Sequence, residues 1–233
     1  MGKPETIIKN AMDEGRLTLL EPEAKTICME YGIPTPDFTV ASSKEEALEA
    51  SKKYGYPIVL KIVSPDIIHK TEAGGVLVGL ASLEEVERGY TQVIENAKRY
   101  RADARIEGVL VQKMAPKGTE VIVGGLKDPQ FGQTLMFGLG GVFVEILKDV
   151  TFRIAPIDES EARSMITEIK AYPILKGYRG QAPVDEEAIV KILLAASKLL
   201  IDLPQISQMD LNPIMAYSKG ASVVDARMLL EKA

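Results

Sequence analysis

The stretch IVLKIVSPDIIHKTEAGGVLVGL, Ile58–Leu80, carries the reading of the fold. Its first part, PIVLKIV with Pro57 leading, is a run of β-branched and apolar residues around one lysine, which predicts a strand. GVLVGL predicts a second. Between them lies a polar segment that ends on Gly74 and Gly75 and holds His69, the only histidine of 233 residues. A chain with one histidine cannot build a two-histidine metal site.

Helical patterns flank this pair of strands. SKEEALEASKKYG opens with a capping box, Ser43 with Glu46, and closes on Gly55. SLEEVERGYTQVIENAKRYRAD is a long amphipathic segment boxed by Ser82 and Glu85. Further out, EPEAKTICMEYG predicts a helix stopped at Gly32, FTVA a short strand, and EGVLVQKMA a strand that ends the first lobe. Pro116–Gly118 then punctuates the chain. Beyond it TEVIVGGL, QTLMFGLG, VFVEIL and TFRIAPI are strand candidates, followed by helices over Asp158–Ile169 and Val184–Leu200. Period-2 runs around Ser218–Gly220 predict a closing hairpin of two or three strands. The expectation is α+β (α/β in the broad sense): a βαβ-like lobe over about 20–115 and a meander-rich lobe over 116–233, with a cleft between them.

Composition sets bounds. Hydrophobic residues make up 46%, enough for a sizeable core. A net charge of −5, few aromatics and no tryptophan argue against nucleic acid as a partner. The single cysteine, Cys28, excludes an intrachain disulfide and fits a reducing, cytoplasmic setting; on its helix it is apolar filler rather than a nucleophile. The first residues show no apolar leader segment, and IVKILLAASKLLIDL is too short and too interrupted by lysine to span a bilayer, so no membrane role is expected.

Five places could carry chemistry. Lys61 interrupts an apolar strand, so it either meets an anion such as phosphate or faces water from an edge strand. GLGGVF (Gly138–Phe143) and EAGGV (Glu72–Val76) either bring backbone amides to phosphate or make ordinary tight turns. In QMDLNPI, Asp210 and Asn212 are two apart and share a face if the segment is extended, which Pro213 favours. With Asp225 on the next strand they make a hard oxygen set suited to Mg2+, or else plain turn polarity. Gln112, Lys113 and Met114, with Glu120 eight residues after Gln112, sit at the lobe boundary, where backbone groups either meet a base edge or belong to an ordinary hairpin with a partly exposed Glu120. His69 is either a satisfied loop histidine or a nucleophile toward phosphorus.

Taken in order, Lys61, SPDIIHKTEAGGV, QKM, Glu120, GLGGVFVEILKDVTFRIAP, DLNPI and DAR closely resemble the ATP-grasp domain of the ADP-forming acyl-CoA synthetases, over roughly Leu20–Leu230. More narrowly they resemble the separate β subunits of ADP-forming acetate–CoA ligases. The resemblance implies a single ATP-grasp domain over 1–233 with nucleotide in the cleft. It implies an acid–thiol ligase reaction, acetyl-CoA + ADP + phosphate ⇌ acetate + ATP + CoA, with Mg2+ and ADP/ATP. By resemblance Lys61 contacts phosphates, Gly74 and Gly75 close over them, Gln112–Met114 hold adenine, and Glu120 lies near the ribose. Arg153 would be an anion contact, Asp210, Asn212 and Asp225 would hold the metal, and His69 would be the phosphohistidine. The acyl-CoA chemistry would belong to an α subunit, in an α2β2 assembly. Two other readings stay open: a self-contained ATP-grasp carboxylate ligase, and a nucleotide-sensing subunit with no turnover of its own.

Overall fold

The computed structural model describes residues 2–141, 149–178 and 182–231. The chain divides into two compact units, one of Met1–Thr35 with Pro116–Ala233, the other of Pro36–Ala115. Residues 20–35, expected in the first lobe, therefore belong to the larger unit. Two helices open the chain, α1 (Lys3–Asp13) and α2 (Glu21–Glu30). No helix is expected from the sequence at α1, where polar residues dominate, yet Ile8 and Ala11 are buried and Ile7 and Met12 pack beside them. In α2, Ala24, Ile27 and Cys28 join the core of the larger unit, which is why this segment leaves its sequence neighbours. Burial pushes the Cys28 thiol up to about 12, with Lys25 opposing, so it is inert filler as expected.

The smaller unit contains β1 (Phe38–Ala41), α3 (Lys44–Tyr54), β2 (Ile58–Val63), β3 (Val76–Leu80), α4 (Leu83–Tyr100) and β4 (Gly108–Lys113). Its sheet runs β1-β4-β2-β3, with every neighbouring pair antiparallel. The βαβ pattern is thus split: β4 lies between β1 and β2, and β2 between β3 and β4. Ile58, Leu60 and Ile62 of β2, with Val109 and Val111 of β4, form the core with Ala47 of α3 and Val86, Val93 and Ala97 of α4. Each isoleucine, leucine or valine among them contributes about 1.5–3 kcal/mol of burial. Both helices start on the serines expected of them: Ser43 Oγ accepts from Glu46 N–H and Ser82 Oγ from Glu85 N–H, each at 3.2 Å. The returning carboxylates land one residue earlier than a capping box requires, on Ser42 and Ala81 N–H, each at 2.7 Å.

The rest of the larger unit contains β5 (Thr119–Asp128), β6 (Gly132–Leu139), β7 (Val150–Ile154), α5 (Glu159–Glu168), α6 (Tyr172–Leu175), α7 (Glu186–Asp202), β8 (Ile206–Ala216), β9 (Ala221–Val223) and β10 (Ala226–Leu230). Its sheet runs β10-β8-β5-β6-β7, with β9 paired to β8. The strand expected at VFVEIL lies outside the described residues. Val121, Val123, Leu135 and Phe137 pack with Met165 and Ile166 of α5 and Leu193, Ala196 and Leu200 of α7. Among the described residues no helix is long and apolar enough to cross a membrane.

The β8–β9 hairpin has several moorings. Gly220 N–H donates to Asp185 Oδ2 at 2.8 Å and Ala188 N–H to Asp185 Oδ1 at 3.1 Å, so one carboxylate caps α7 and fixes the hairpin turn. Both places where the chain leaves this unit also tie to the hairpin. Val223 N–H donates to the Pro34 carbonyl at 2.8 Å, and the Tyr217 hydroxyl to the Pro116 carbonyl at 3.2 Å.

Candidate active site

His69 sits in the β2–β3 connection and its side chain is 61% exposed. Ile67 and Ala73 on either side are buried in the core of the smaller unit. Asp66 is fixed as well, since its Oδ2 accepts from Arg105 N–H at 2.7 Å. Residues 69–73 form one helical turn, with Ala73 N–H donating to the His69 carbonyl at 3.1 Å. Gly74 and Gly75 stop it. Gly74 has φ of 62°, a left-handed value that glycine takes without steric cost. Its N–H donates to Thr71 O at 3.0 Å and Gly75 N–H to Lys70 O at 2.8 Å, the paired bonds of a glycine helix stop. In this conformation both amides are engaged inside the turn rather than presented to a phosphate.

Lys61 does not face water from an edge. β2 is an interior strand and Lys61 is 6% exposed. It pairs in register with Leu110 of β4 and Val76 of β3, on the sheet face away from α3 and α4. Gln112 shares that face, opposite Val59, and is fully buried. The turn to the Ala115 boundary is fixed by Lys113 N–H donating to Asp37 O at 3.0 Å and Met114 N–H to Pro57 O at 3.1 Å. The smaller unit therefore carries Lys61, His69, Gly74, Gly75 and Gln112–Met114.

The larger unit carries the remaining residues. Glu120 lines a cavity of about 630 Å³ with Lys117, Leu139, Gly140, Gly141 and Tyr217. That volume suits a small organic ligand. Gly140 packs closely there: a Cβ would lie 3.0–3.2 Å from Glu120, whose carbonyl accepts from Gly140 N–H at 2.7 Å. Lys117 and Tyr217 were not foreseen from the sequence; the hairpin pattern that places Tyr217 carries no cue that its ring will line a cavity.

Asp210 and Asn212 both stand on the exposed face of β8, as their spacing predicts, while Met209 and Leu211 point into the core. The segment joining β9 to β10 runs beside them: Asn212 N–H donates to the Asp225 carbonyl at 3.2 Å. Asp210 faces Arg227 of β10 across the ladder. Although the residue as a whole is exposed, loss of water around its carboxyl raises the Asp210 pKa first, and the Asp225 charge adds to this. Arg227 opposes both. Among the described residues no three His, Cys, Asp or Glu gather as a metal site on their own. Two carboxylates with one amide carbonyl nevertheless form an oxygen-only set that fits a hard divalent cation which keeps waters or substrate oxygens. Arg153 is not brought to this set or to the cavity. Its guanidinium donates to the Phe152 carbonyl and pairs with Glu168 at the end of α5.

The sequence model of the ATP-grasp domain matches residues 10–230. The chain is 52% identical over 230 residues to the beta subunit of acetate–CoA ligase (ADP-forming) I from Pyrococcus furiosus, covering 99% of each. It is 45% identical over 228 residues to acetate–CoA ligase (ADP-forming) I of Archaeoglobus fulgidus, covering 98% of this chain but 33% of that longer one. Its structure is similar to that of dinucleotide-forming acetyl-coenzyme A synthetase 1 of Candidatus Korarchaeum cryptofilum in complex with coenzyme A and Ca-AMPCP. The TM-score is 0.95 at 52% identity, covering 99% of this chain and 100% of that one. A second structure of that enzyme, with coenzyme A and Mg-AMPPCP, has its phosphohistidine segment pointing towards the nucleotide-binding site. There the TM-score is 0.87 at 48% identity, covering 98% and 100%. Matched along almost all of its length in both sequence and fold, the chain belongs to the ATP-grasp domain family.

Proposed function

We propose that the chain is the nucleotide-binding β subunit of an ADP-forming acetyl-CoA synthetase and that His69 is its phosphoryl carrier. The observation that carries this reading is that the one imidazole of the chain stands exposed on a turn pinned at both ends. A neutral imidazole is a good nucleophile toward phosphorus. His69 Nε2 accepts a phosphoryl group derived from acetyl-CoA and phosphate on an α subunit, and gives it to a terminal oxygen of ADP. Relatives support such a partner, because some carry this domain as one part of a longer chain. An α2β2 assembly in the cytoplasm is the arrangement we propose.

Glu120 and the cavity it lines would receive the nucleoside, with Gln112–Met114 contacting adenine. Lys61 would neutralise phosphate charge, which also gives a purpose to an ammonium in an interior strand. Asp210, Asn212 and Asp225 would hold Mg2+, which when bound supplies charge neutralisation on the transferring group. The chain's own work is then to orient nucleotide and imidazole for in-line transfer. Gly74 and Gly75 shape the His69 turn, and Arg153 stays with Glu168.

The test is His69→Ala in the assembled enzyme, assayed for ATP formation from acetyl-CoA, ADP and phosphate. Activity should fall by at least about a thousandfold, with Mg·ADP affinity kept within about twofold. Turnover near that of the wild type would end the reading.

A further inference from the structure

Beside His69 the turn carries two charged side chains that the reaction as described does not use, Lys70 and Glu72. Glu72 lies three residues on, and helical geometry places it on the same side of the turn. Its Oε1 is 3.9 Å from His69 Nδ1, an electrostatic neighbour rather than a hydrogen bond. The i-to-i+4 bond from Ala73 to His69 and the glycine stop at Gly74–Gly75 hold the two residues in this relation. Gly75 is fastened in turn: its carbonyl accepts from Ile62 N–H at 2.7 Å, and Asn96 Nδ2 donates to the Gly74 carbonyl at 2.9 Å.

We infer that Glu72 is a positioning residue for His69, a counter-charge that travels with the carrier. The inference rests on the carrier reading above. A carboxylate beside Nδ1 favours the tautomer with its proton on Nδ1 and the lone pair on Nε2. The Nε2 lone pair then forms the N–P bond as the P–O bond to the acyl group breaks, and acetate leaves with that electron pair. Nδ1 keeps its proton, so the phosphorylated ring is a cation and no base is needed. The second transfer reverses this: an ADP oxygen bonds to phosphorus, the N–P electrons return to Nε2, and the ring is neutral again. Charge therefore appears and disappears on the imidazole in each cycle, and Glu72 offsets it wherever the turn happens to be. A counter-ion on either binding site would serve only there.

Because His69 is the only histidine, ring-15N-labelled protein gives one pair of imidazole nitrogen signals. The experiment compares the full-length wild type with Glu72→Gln, which keeps length and removes charge. The expected result is a lower Nδ1–H fraction in the variant. With phosphoramidate as phosphodonor, phosphorylation of His69 should be about two- to fivefold slower and dephosphorylation faster, the scale of an exposed ion pair. Amide spectra that superpose away from residues 67–75 exclude misfolding as the cause. If the wild type phosphorylates and Glu72→Gln matches it in tautomer and both rates, the Glu72 assignment is overturned and the carrier reading stands. A wild type that takes no phosphate on His69 overturns both.

Discussion

Gly75 has no room for a methyl group. A Cβ there would lie 2.5 Å from Ile62 Cγ2 and 3.2 Å from the Lys70 carbonyl, so either the β2 core or the His69 turn must move. Gly75→Ala should therefore cost about 1–3 kcal/mol, read as a lower melting temperature and a lower rate of His69 phosphorylation. A variant as stable and as active as the wild type would contradict this geometry. The glycine pair also marks how far sequence reaches at this scale. Glycines beside a possible phosphate site are compatible with presented amides and with a helix stop alike. Only the carbonyls at 70 and 71 decide, and hydrogen-bond partners are not written in composition. Lys61 is a similar case: whether its strand is an edge or interior depends on β4, which arrives some fifty residues later in the chain.

Among elements, β8 was the most legible. Alternating apolar and polar residues place Met209 and Leu211 inside and Asp210 and Asn212 outside without knowledge of any partner strand. Its hairpin with β9 depends on a group the sequence does not mark, the Asp185 carboxylate. Backbone N–H groups of Gly220 and Ala188 hold that carboxyl below the usual aspartate range. A carboxyl with a depressed folded-state pKa contributes stability that is present above its unfolded pKa of about 3.9 and is lost as pH falls through the folded value. Asp185→Ala should accordingly lower the melting temperature clearly at pH 7, and the gap to the wild type should narrow as pH falls below about 4. An equal gap at both pH values would show that the carboxylate charge is not what matters. Helix α1 was missed for a different reason: Ile7, Ile8, Ala11 and Met12 do fall at helical spacing, but so short a stripe among charged residues shows its purpose only against the core it packs on.

For the molecule as a whole, the break at Pro116 coincides with the start of the second segment of the larger unit, but the N-terminal division does not follow sequence order. Local periodicity cannot reveal that Met1–Thr35 packs with strands that come more than eighty residues later. Leu19 N–H donating to Met228 O at 3.0 Å is one such distant bond. The candidate residues are divided the same way, with the His69 turn and Lys61 in one unit and the cavity, Asp210 and Asn212 in the other. The candidate residues of each unit were singled out from their own stretches of sequence, whereas the cavity depended on long-range neighbours such as Tyr217.

Topologically, Pro36–Ala115 is an insertion within the larger unit, and its entry and exit are both tethered to the same β8–β9 hairpin. The host thus closes upon itself at one place and does not depend on its guest for continuity. A flexible glycine–serine bridge from Thr35 to Pro116 would remove the guest and leave both tethers to the hairpin in place. The shortened chain should fold cooperatively and retain α2 against β10, monitored by circular dichroism and hydrogen exchange. Collapse to an unfolded chain would mean that the two parts cannot be inherited, exchanged or engineered separately.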